Sequence, residues 1–124
     1  MRRSWGPLAT AVLVISVASC SGPVSAPVAF DRAVWLGGES ASFSPDAPGL
    51  RMADGLVSSR TLLGRNRSEI EAMLGPETNT DKFASYDLVY WLGAQRSYMP
   101  MDSEWLVVRF DGSGRVSEAR IVYD

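Results

Sequence analysis

The sequence predicts an α+β fold in which two helices pack on a three-stranded antiparallel sheet, in two layers and in the order ααβββ. Apolar residues first recur at helical spacing and, after residue 85, at the spacing of two that strands require. A loop of about ten residues and a tight Gly-rich turn connect the three strand segments, and both are too short for a parallel crossover. Such a sheet has one apolar face, which the two helices can cover.

The second predicted helix has the strongest local signals in the chain. Asn66 is a good N-cap and Glu69 follows three residues later, as in a capping box. The apolar residues at i, i+3 and i+4 give the helix one buried face: Ile70, Met73 and Leu74. A Gly-Pro pair at residues 75–76 ends it, which predicts a helix over residues 67–74. The first predicted helix, over residues 48–62, has a weaker apolar face and contains Gly55.

Three strands are predicted over residues 86–92, 104–110 and 116–123. The first segment is dense in aromatic and branched residues, and the other two alternate apolar with polar side chains. Residues 111–114 (Asp-Gly-Ser-Gly) provide the turn between the last two strands. Consecutive strands with short connections favour an antiparallel meander.

The amino terminus has the organisation of a bacterial secretion signal over residues 1–19. Arg2 and Arg3 give a positive start, and the apolar run that follows is shorter than the roughly 20 residues of a transmembrane helix. Cys20 is the single cysteine and directly follows two small residues, a pattern that resembles the bacterial lipobox. We therefore expect Cys20 to carry the lipid that anchors an exported protein. The alternative is an ordinary cleaved signal with an incidental cysteine.

Ser21 bears on the membrane in which such a lipoprotein would reside. In the enteric sorting rule, an Asp directly after the lipidated cysteine retains the protein in the inner membrane. Ser21 therefore resembles an outer-membrane address. Other bacteria apply different rules, which leaves the inner membrane open.

Residues 20–49 form the predicted tether and residues 50–124 the predicted domain. The tether is rich in Ser, Ala, Pro and Gly, a composition typical of an extended spacer. Four of its apolar side chains are too bulky for a plain spacer: Phe30, Val34, Trp35 and Leu36. These side chains either pack back on the domain or dock on a partner.

Composition excludes several kinds of function. The chain has no histidine, so a Ser-His pair is excluded, and its one cysteine is assigned to lipid, which excludes a disulfide or a Cys-rich zinc site. The formal charge is −2, and without Arg2 and Arg3 ten basic residues face fourteen acidic ones. A mildly acidic domain has no electrostatic attraction for nucleic acid.

The remaining candidates for catalysis are pairs of carboxylates. Asp81 with Asp87, and Asp102 with Glu104, lie at loop or strand ends, where solvated carboxylates are usual. The turn at residues 111–114 resembles the start of a calcium loop, but Val122 stands where the bidentate Glu is required. We therefore expect no catalytic or metal site, no cofactor, no small-molecule substrate and no enzymatic activity.

Two segments carry a resemblance to a known family. Residues 63–70 (Leu-Gly-Arg-Asn-Arg-Ser-Glu-Ile), running into residues 73–76 (Met-Leu-Gly-Pro), resemble the small outer-membrane lipoproteins of the SmpA/OmlA (BamE-like) family. That family shows a Leu-Gly-x-Pro-type helix ending, whereas Pro76 comes one place early here. Residues 106–116 look like the family's last hairpin. The resemblance covers roughly residues 50–124 and the signal, and its motifs concern folding more than function.

The resemblance implies a lipid-anchored accessory or scaffold protein of the cell envelope, in outer-membrane β-barrel assembly or envelope integrity. A similar ααβββ unit occurs in proteins that inhibit β-lactamase, so a periplasmic binder or inhibitor of an enzyme is the alternative. Residues 90–93 and 97–105 are not features of the barrel-assembly member. The membrane and an envelope protein are thus the expected partners.

The long loop between the first two strands is the expected docking surface. Tyr98, Met99 and Met101 lie in this loop, and exposed aromatic and Met side chains are typical of protein contacts. We expect the outer sheet face with Trp105 and Arg109 to extend this surface. Alternatively, the loop folds over the sheet end and these residues cap the core.

Overall fold

The computed structural model describes residues 26–37, 41, 47–99 and 101–124. Six elements occur in this part of the chain: α1 (Arg32–Leu36), α2 (Pro48–Ser58), α3 (Arg67–Leu74), β1 (Leu88–Ala94), β2 (Ser103–Phe110) and β3 (Val116–Tyr123). The three strands form one antiparallel sheet in the order β1-β2-β3. The predicted α+β fold with a three-stranded antiparallel sheet is therefore confirmed.

Helix α3 forms where the local signals predict it. The Glu69 N–H donates to Asn66 Oδ1 (2.9 Å) and the Asn66 N–H donates to Glu69 Oε1 (3.4 Å), which completes the capping box. At the other end Gly75 has φ of 75°, a conformation that side chains with a Cβ rarely adopt. The bounds of α3 agree with the predicted residues 67–74 because both signals are local.

Helix α2 is shorter than predicted and ends at Ser58 instead of residue 62. Pro48 stands at its start, where the missing N–H costs nothing, and residues 59–64 continue as turns. Arg60 adopts a positive φ of 56° in this stretch, which breaks the helical path. Leu62, the one apolar residue of the predicted helix beyond Ser58, therefore reaches the core from a turn.

Helix α1 lies inside the segment predicted as a tether. Asp31 caps it by accepting a hydrogen bond from the Val34 N–H (3.2 Å), and the Trp35 side chain is buried. Trp35 Nε1 donates to the Leu74 carbonyl (2.9 Å), and its ring packs near Phe30 and Tyr90. Of the two alternatives for the apolar cluster, packing onto the domain is the one observed for Phe30 and Trp35. The folded unit thus begins before residue 50.

The main core joins the helices to one face of the sheet. One cluster of buried side chains contains residues from all three helices and all three strands, among them Trp35, Leu50, Leu56, Ile70, Leu74, Leu88, Tyr90, Leu106, Val108 and Val116. On β2 the even-numbered residues face this cluster, as the period of two requires.

A smaller cluster covers the opposite face of the sheet. Val89, Trp105 and Val107 are buried there, under Phe83 and Tyr86 from the connection between α3 and β1. Residues 104–108 of β2 are consequently buried on both faces of the sheet. The strand bounds differ from the prediction mainly for β1, which runs from Leu88 to Ala94 instead of residues 86–92. Tyr86 belongs to the covering connection and not to the strand.

Candidate functional site: the loop between β1 and β2

The candidate site is the loop of residues 95–102, whose exposed apolar side chains we call the loop tip: Tyr98, Met99 and Met101. These side chains are 100%, 65% and 84% exposed. Among the described residues they are the three most exposed large hydrophobic side chains. The loop therefore does not fold over the sheet end to cap the core.

The base of the loop continues the β1–β2 hairpin. The Gln95 N–H donates to the Asp102 carbonyl (2.8 Å). Two tight turns follow, in which the Ser97 N–H donates to the Gln95 carbonyl (3.0 Å) and the Met101 N–H donates to the Met99 carbonyl (2.9 Å). The bonds of Gln95 and Ser97 give the backbone at the loop base a defined path up to the tip.

A charged cluster, which we call the Arg96 clamp, holds the loop base to the rest of the domain. Arg96 lies between Asp54 of α2 and Glu104 of β2. Its Nε and Nη2 donate to the two Glu104 oxygens (2.9 and 2.8 Å), and the Arg96 backbone N–H also donates to Glu104 Oε2 (2.9 Å). Arg96 Nη2 donates to Asp54 Oδ1 (2.9 Å), and Nη1 donates to Asp54 Oδ2. Both carboxylates are thus held bidentately, the geometry for which a guanidinium is suited.

Burial makes the clamp more than a surface ion pair. The Glu104 side chain is 1% exposed, and those of Arg96 and Asp54 are 16% and 22% exposed. The hydrogen bonds that the guanidinium donates to Asp54 and then to Glu104 raise the pKa of Arg96 above its ordinary value, so the guanidinium stays charged. An open cleft of about 270 Å³ beside the three side chains is also lined by Tyr123.

A β-bulge at the end of β1 accompanies this arrangement. Trp91 pairs with Trp105, but Gly93 pairs with Glu104, so Leu92 is the extra residue. Gly93 has φ of 140°, which favours glycine at this position. Glu104 has the same parity as Leu106 and Val108 and faces α2. A charged residue at an apolar position of a strand indicates a buried partner of opposite charge. The position of Glu104 on β2 was therefore the sequence signal that could have predicted the Arg96 clamp.

The structure separates the two sheet residues of the predicted docking surface from the loop tip. Trp105 is 7% exposed, and its ring lies 5.8 Å from that of Phe83 between centroids. Arg109 stacks on Tyr86, with its guanidinium carbon 4.4 Å from the ring centroid, and its Nη1 donates to Glu118 Oε2 (2.9 Å). The expected outer sheet face is therefore covered at Trp105, which belongs to the core because Phe83 and Tyr86 pack over it, whereas the Arg109 side chain stays 42% exposed.

Two of the four carboxylates considered for catalysis, Asp87 and Glu104, have structural contacts. Asp87 accepts a hydrogen bond from the Phe110 N–H (2.7 Å), and Glu104 belongs to the clamp. Asp111 accepts from the N–H and the hydroxyl of Ser113 (2.8 and 2.6 Å) and from the Arg115 N–H (3.2 Å). These bonds, the hydroxyl of Ser113 first, lower the pKa of Asp111. The 111–114 turn is thus held by its own carboxylate.

The described residues also bear on metal binding and on membrane crossing. They contain no group of three or more His, Cys, Asp or Glu residues that could hold a metal ion. None of their helices combines the length and the apolar character that crossing a bilayer requires. The predicted signal peptide (residues 1–19) and Cys20 lie outside the described residues.

Comparison with known proteins leaves the family resemblance as an expectation. No protein-family model, curated protein or solved structure matches the chain. The features that bear on function are therefore the lipobox pattern and the geometry of the β1–β2 loop.

Proposed function

We propose that the chain is a lipid-anchored accessory protein of the cell envelope, which contacts a protein partner through the loop tip. The observation that carries this proposal is the full exposure of Tyr98 beside two exposed methionines. A large apolar patch in contact with water is unfavourable unless a partner covers it. Complete burial of one Met side chain contributes about 1.5–3 kcal/mol, so three such side chains can dominate a small interface.

The Arg96 clamp supports a binding role for the loop. It connects the loop base to α2 and β2 by hydrogen bonds to both carboxylates. A loop whose base is held before binding loses less conformational entropy when it binds. The same clamp restricts how far the loop can rearrange, so a partner would meet a preformed surface.

The lipobox pattern at Cys20 supports the envelope location. With Ser21 after it, the pattern favours the inner side of the outer membrane. The family resemblance favours a role in β-barrel assembly or envelope integrity. A protruding loop with an apolar tip also suits a periplasmic inhibitor that occupies the cleft of an enzyme, which is the second candidate.

The test is affinity capture of the full-length protein from detergent-solubilised membranes. We compare the unchanged protein with a loop-tip variant, Tyr98→Ala with Met99→Ala. The matched control is Leu63→Ala, which also removes a partly exposed apolar side chain (41% exposed) outside the loop. Cys20→Ala reports the contribution of the anchor.

Capture of barrel-assembly subunits that the loop-tip variant loses and the Leu63→Ala control keeps would support the leading proposal. Capture of one soluble enzyme, retained by Cys20→Ala, would favour the inhibitor. If the loop-tip variant and the unchanged protein capture the same set of proteins, the loop is not the docking surface.

A further inference from the structure

A second surface, which we call the N-terminal groove, lies where the chain from the predicted anchor first meets the domain. It is a groove of about 330 Å³. Its lining is mostly apolar and comes from the N-terminal segment, α2 and α3, chiefly Val28, Phe30, Leu56 and Met73, with Ser59 and Thr61 at the α2 end. The loop tip does not contribute to it.

The N-terminal wall of this groove is fixed to α2. The Val28 N–H donates to the Arg51 carbonyl (3.2 Å), and Arg51 Nε donates to the Ala26 carbonyl (3.0 Å). Gly55 permits the close crossing, because a Cβ at that position would lie 2.9 Å from the Val28 carbonyl oxygen. The segment after Ala26 thus packs as part of the domain.

The chain length between Cys20 and the groove limits how far the two can separate. Six residues lead from Cys20 to Ala26. Even a fully extended chain of this length spans at most about 20 Å. A lipid on Cys20 would therefore hold Ala26, and the groove wall that directly follows it, within about 20 Å of the bilayer surface.

The side chains nearest to this attachment point are apolar and accessible. Pro27 and Ala29 are exposed, and on α1 Val34 and Leu36 are each 42% exposed. Next to a bilayer they can insert among the headgroups and acyl chains, as the apolar face of an interfacial helix does to a depth of about 5–10 Å.

We propose that the N-terminal groove, with the exposed apolar side chains of Pro27, Ala29 and Val34, is the face of the domain that lies on the bilayer. Its occupant is the apolar boundary of the membrane that holds the lipid of Cys20. The inference rests on the proposed lipid anchor and adds the orientation of the domain. It separates a membrane-facing surface from the loop tip that contacts a protein partner.

The experiment uses the full-length lipidated protein in phosphatidylcholine vesicles. A single introduced cysteine carries an environment-sensitive fluorophore, and because the thiol of Cys20 is occupied by lipid, the label has one site. Ala29→Cys places the label at the groove. Ser85→Cys is the control, since Ser85 is exposed in the connection that covers the opposite face of the sheet. Vesicles with brominated acyl chains then quench only labels that reach the hydrocarbon.

The expected result is roughly twofold or stronger quenching at residue 29 and almost none at residue 85, as insertion by several ångströms requires. Val34→Cys, also at an exposed position, should repeat the result for residue 29. Intact mass of each protein is measured first. A chain without lipid on Cys20 overturns the proposed anchor and, with it, this inference. A lipidated chain with equal quenching at residues 29 and 85 overturns the inference alone.

Discussion

Replacing Arg96 by Met tests whether the Arg96 clamp stabilises the fold. The substitution keeps much of the side-chain length but removes the cation between Asp54 and Glu104. Glu104, 1% exposed, would keep its hydrogen bond from the backbone N–H of residue 96 and lose both bonds from the guanidinium. Breaking a buried ion pair by removing one partner costs about 3–5 kcal/mol.

The partial exposure of the other two side chains lowers this figure. Arg96 and Asp54 remain 16% and 22% exposed, so water reaches one side of the clamp. We therefore expect Arg96→Met to reduce the free energy of unfolding by about 2–3 kcal/mol. With a urea m-value of about 1.5 kcal/mol/M, this loss lowers the unfolding midpoint by about 1.3–2 M.

The assay is equilibrium unfolding in urea of the full-length chain carrying Cys20→Ala, followed by tryptophan fluorescence. Arg120→Met is the matched control, because the Arg120–Glu118 pair (3.2 Å) is largely exposed and should contribute less than about 1 kcal/mol. Adding Glu104→Leu to Arg96→Met removes the stranded buried carboxylate and should recover more than half of the loss. A loss no larger than that of Arg120→Met would refute the reasoning, as would a double variant less stable than Arg96→Met.

Three further predictions concern the helix cap, the buried tyrosine and the loop tip. Asn66→Ala should lower the free energy of unfolding by about 1 kcal/mol because α3 loses its capping box. The control Ser68→Ala, at an exposed position of the same helix, should change this free energy little. Equal urea midpoints for the two variants would contradict the prediction. Burial is the main cause that raises the pKa of Tyr90 above its ordinary 10.0, and two nearby carboxylates add to it. The fold therefore favours the neutral hydroxyl, which donates to the Gly75 carbonyl. The free energy of unfolding should therefore fall as the pH rises above 10. Tyr90→Phe should lose about 1 kcal/mol of this free energy at neutral pH but show a shallower decline at alkaline pH. Parallel declines in the two proteins would disprove the link between Tyr90 ionisation and stability. Hydrogen peroxide should convert the two methionines of the loop tip to sulfoxides well before Met52, which is 1% exposed. The measurement is the mass of each methionine peptide over time, and equal rates of sulfoxide formation at the loop tip and at Met52 would count against the exposed tip.

Local features of the sequence were sufficient to predict much of the fold. Helix α3 depends on Asn66, Glu69 and Gly75, which act within one or two turns of the chain. The β2–β3 hairpin likewise depends on the turn at residues 111–114, held by hydrogen bonds that the Asp111 carboxylate accepts from Ser113 and Arg115. Such local interactions can be predicted from the sequence because their energies do not depend on distant parts of the chain.

The candidate site was predictable only in part. The sequence placed the loop tip in a long loop between two strands but left open whether its side chains are exposed or cap the core, and the structure shows them exposed. The Arg96 clamp was not predicted, because Asp54 and Arg96 are separated by 42 positions in the sequence. Glu104 was interpreted as a solvated strand end, although its parity on β2 places it toward α2.

The sequence by itself determined the α+β class, the bounds of α3 and β3, and the kinds of chemistry that a chain without histidine can perform. Only the tertiary structure decided that Trp35 belongs to the core, since a five-residue helix gains its stability from packing and not from its own hydrogen bonds. It also decided that Trp105 is buried, because residues 77–87 cover a sheet face that alternation alone would leave open. Burial depends on which distant segment arrives at a surface, and that is a property of the assembled chain.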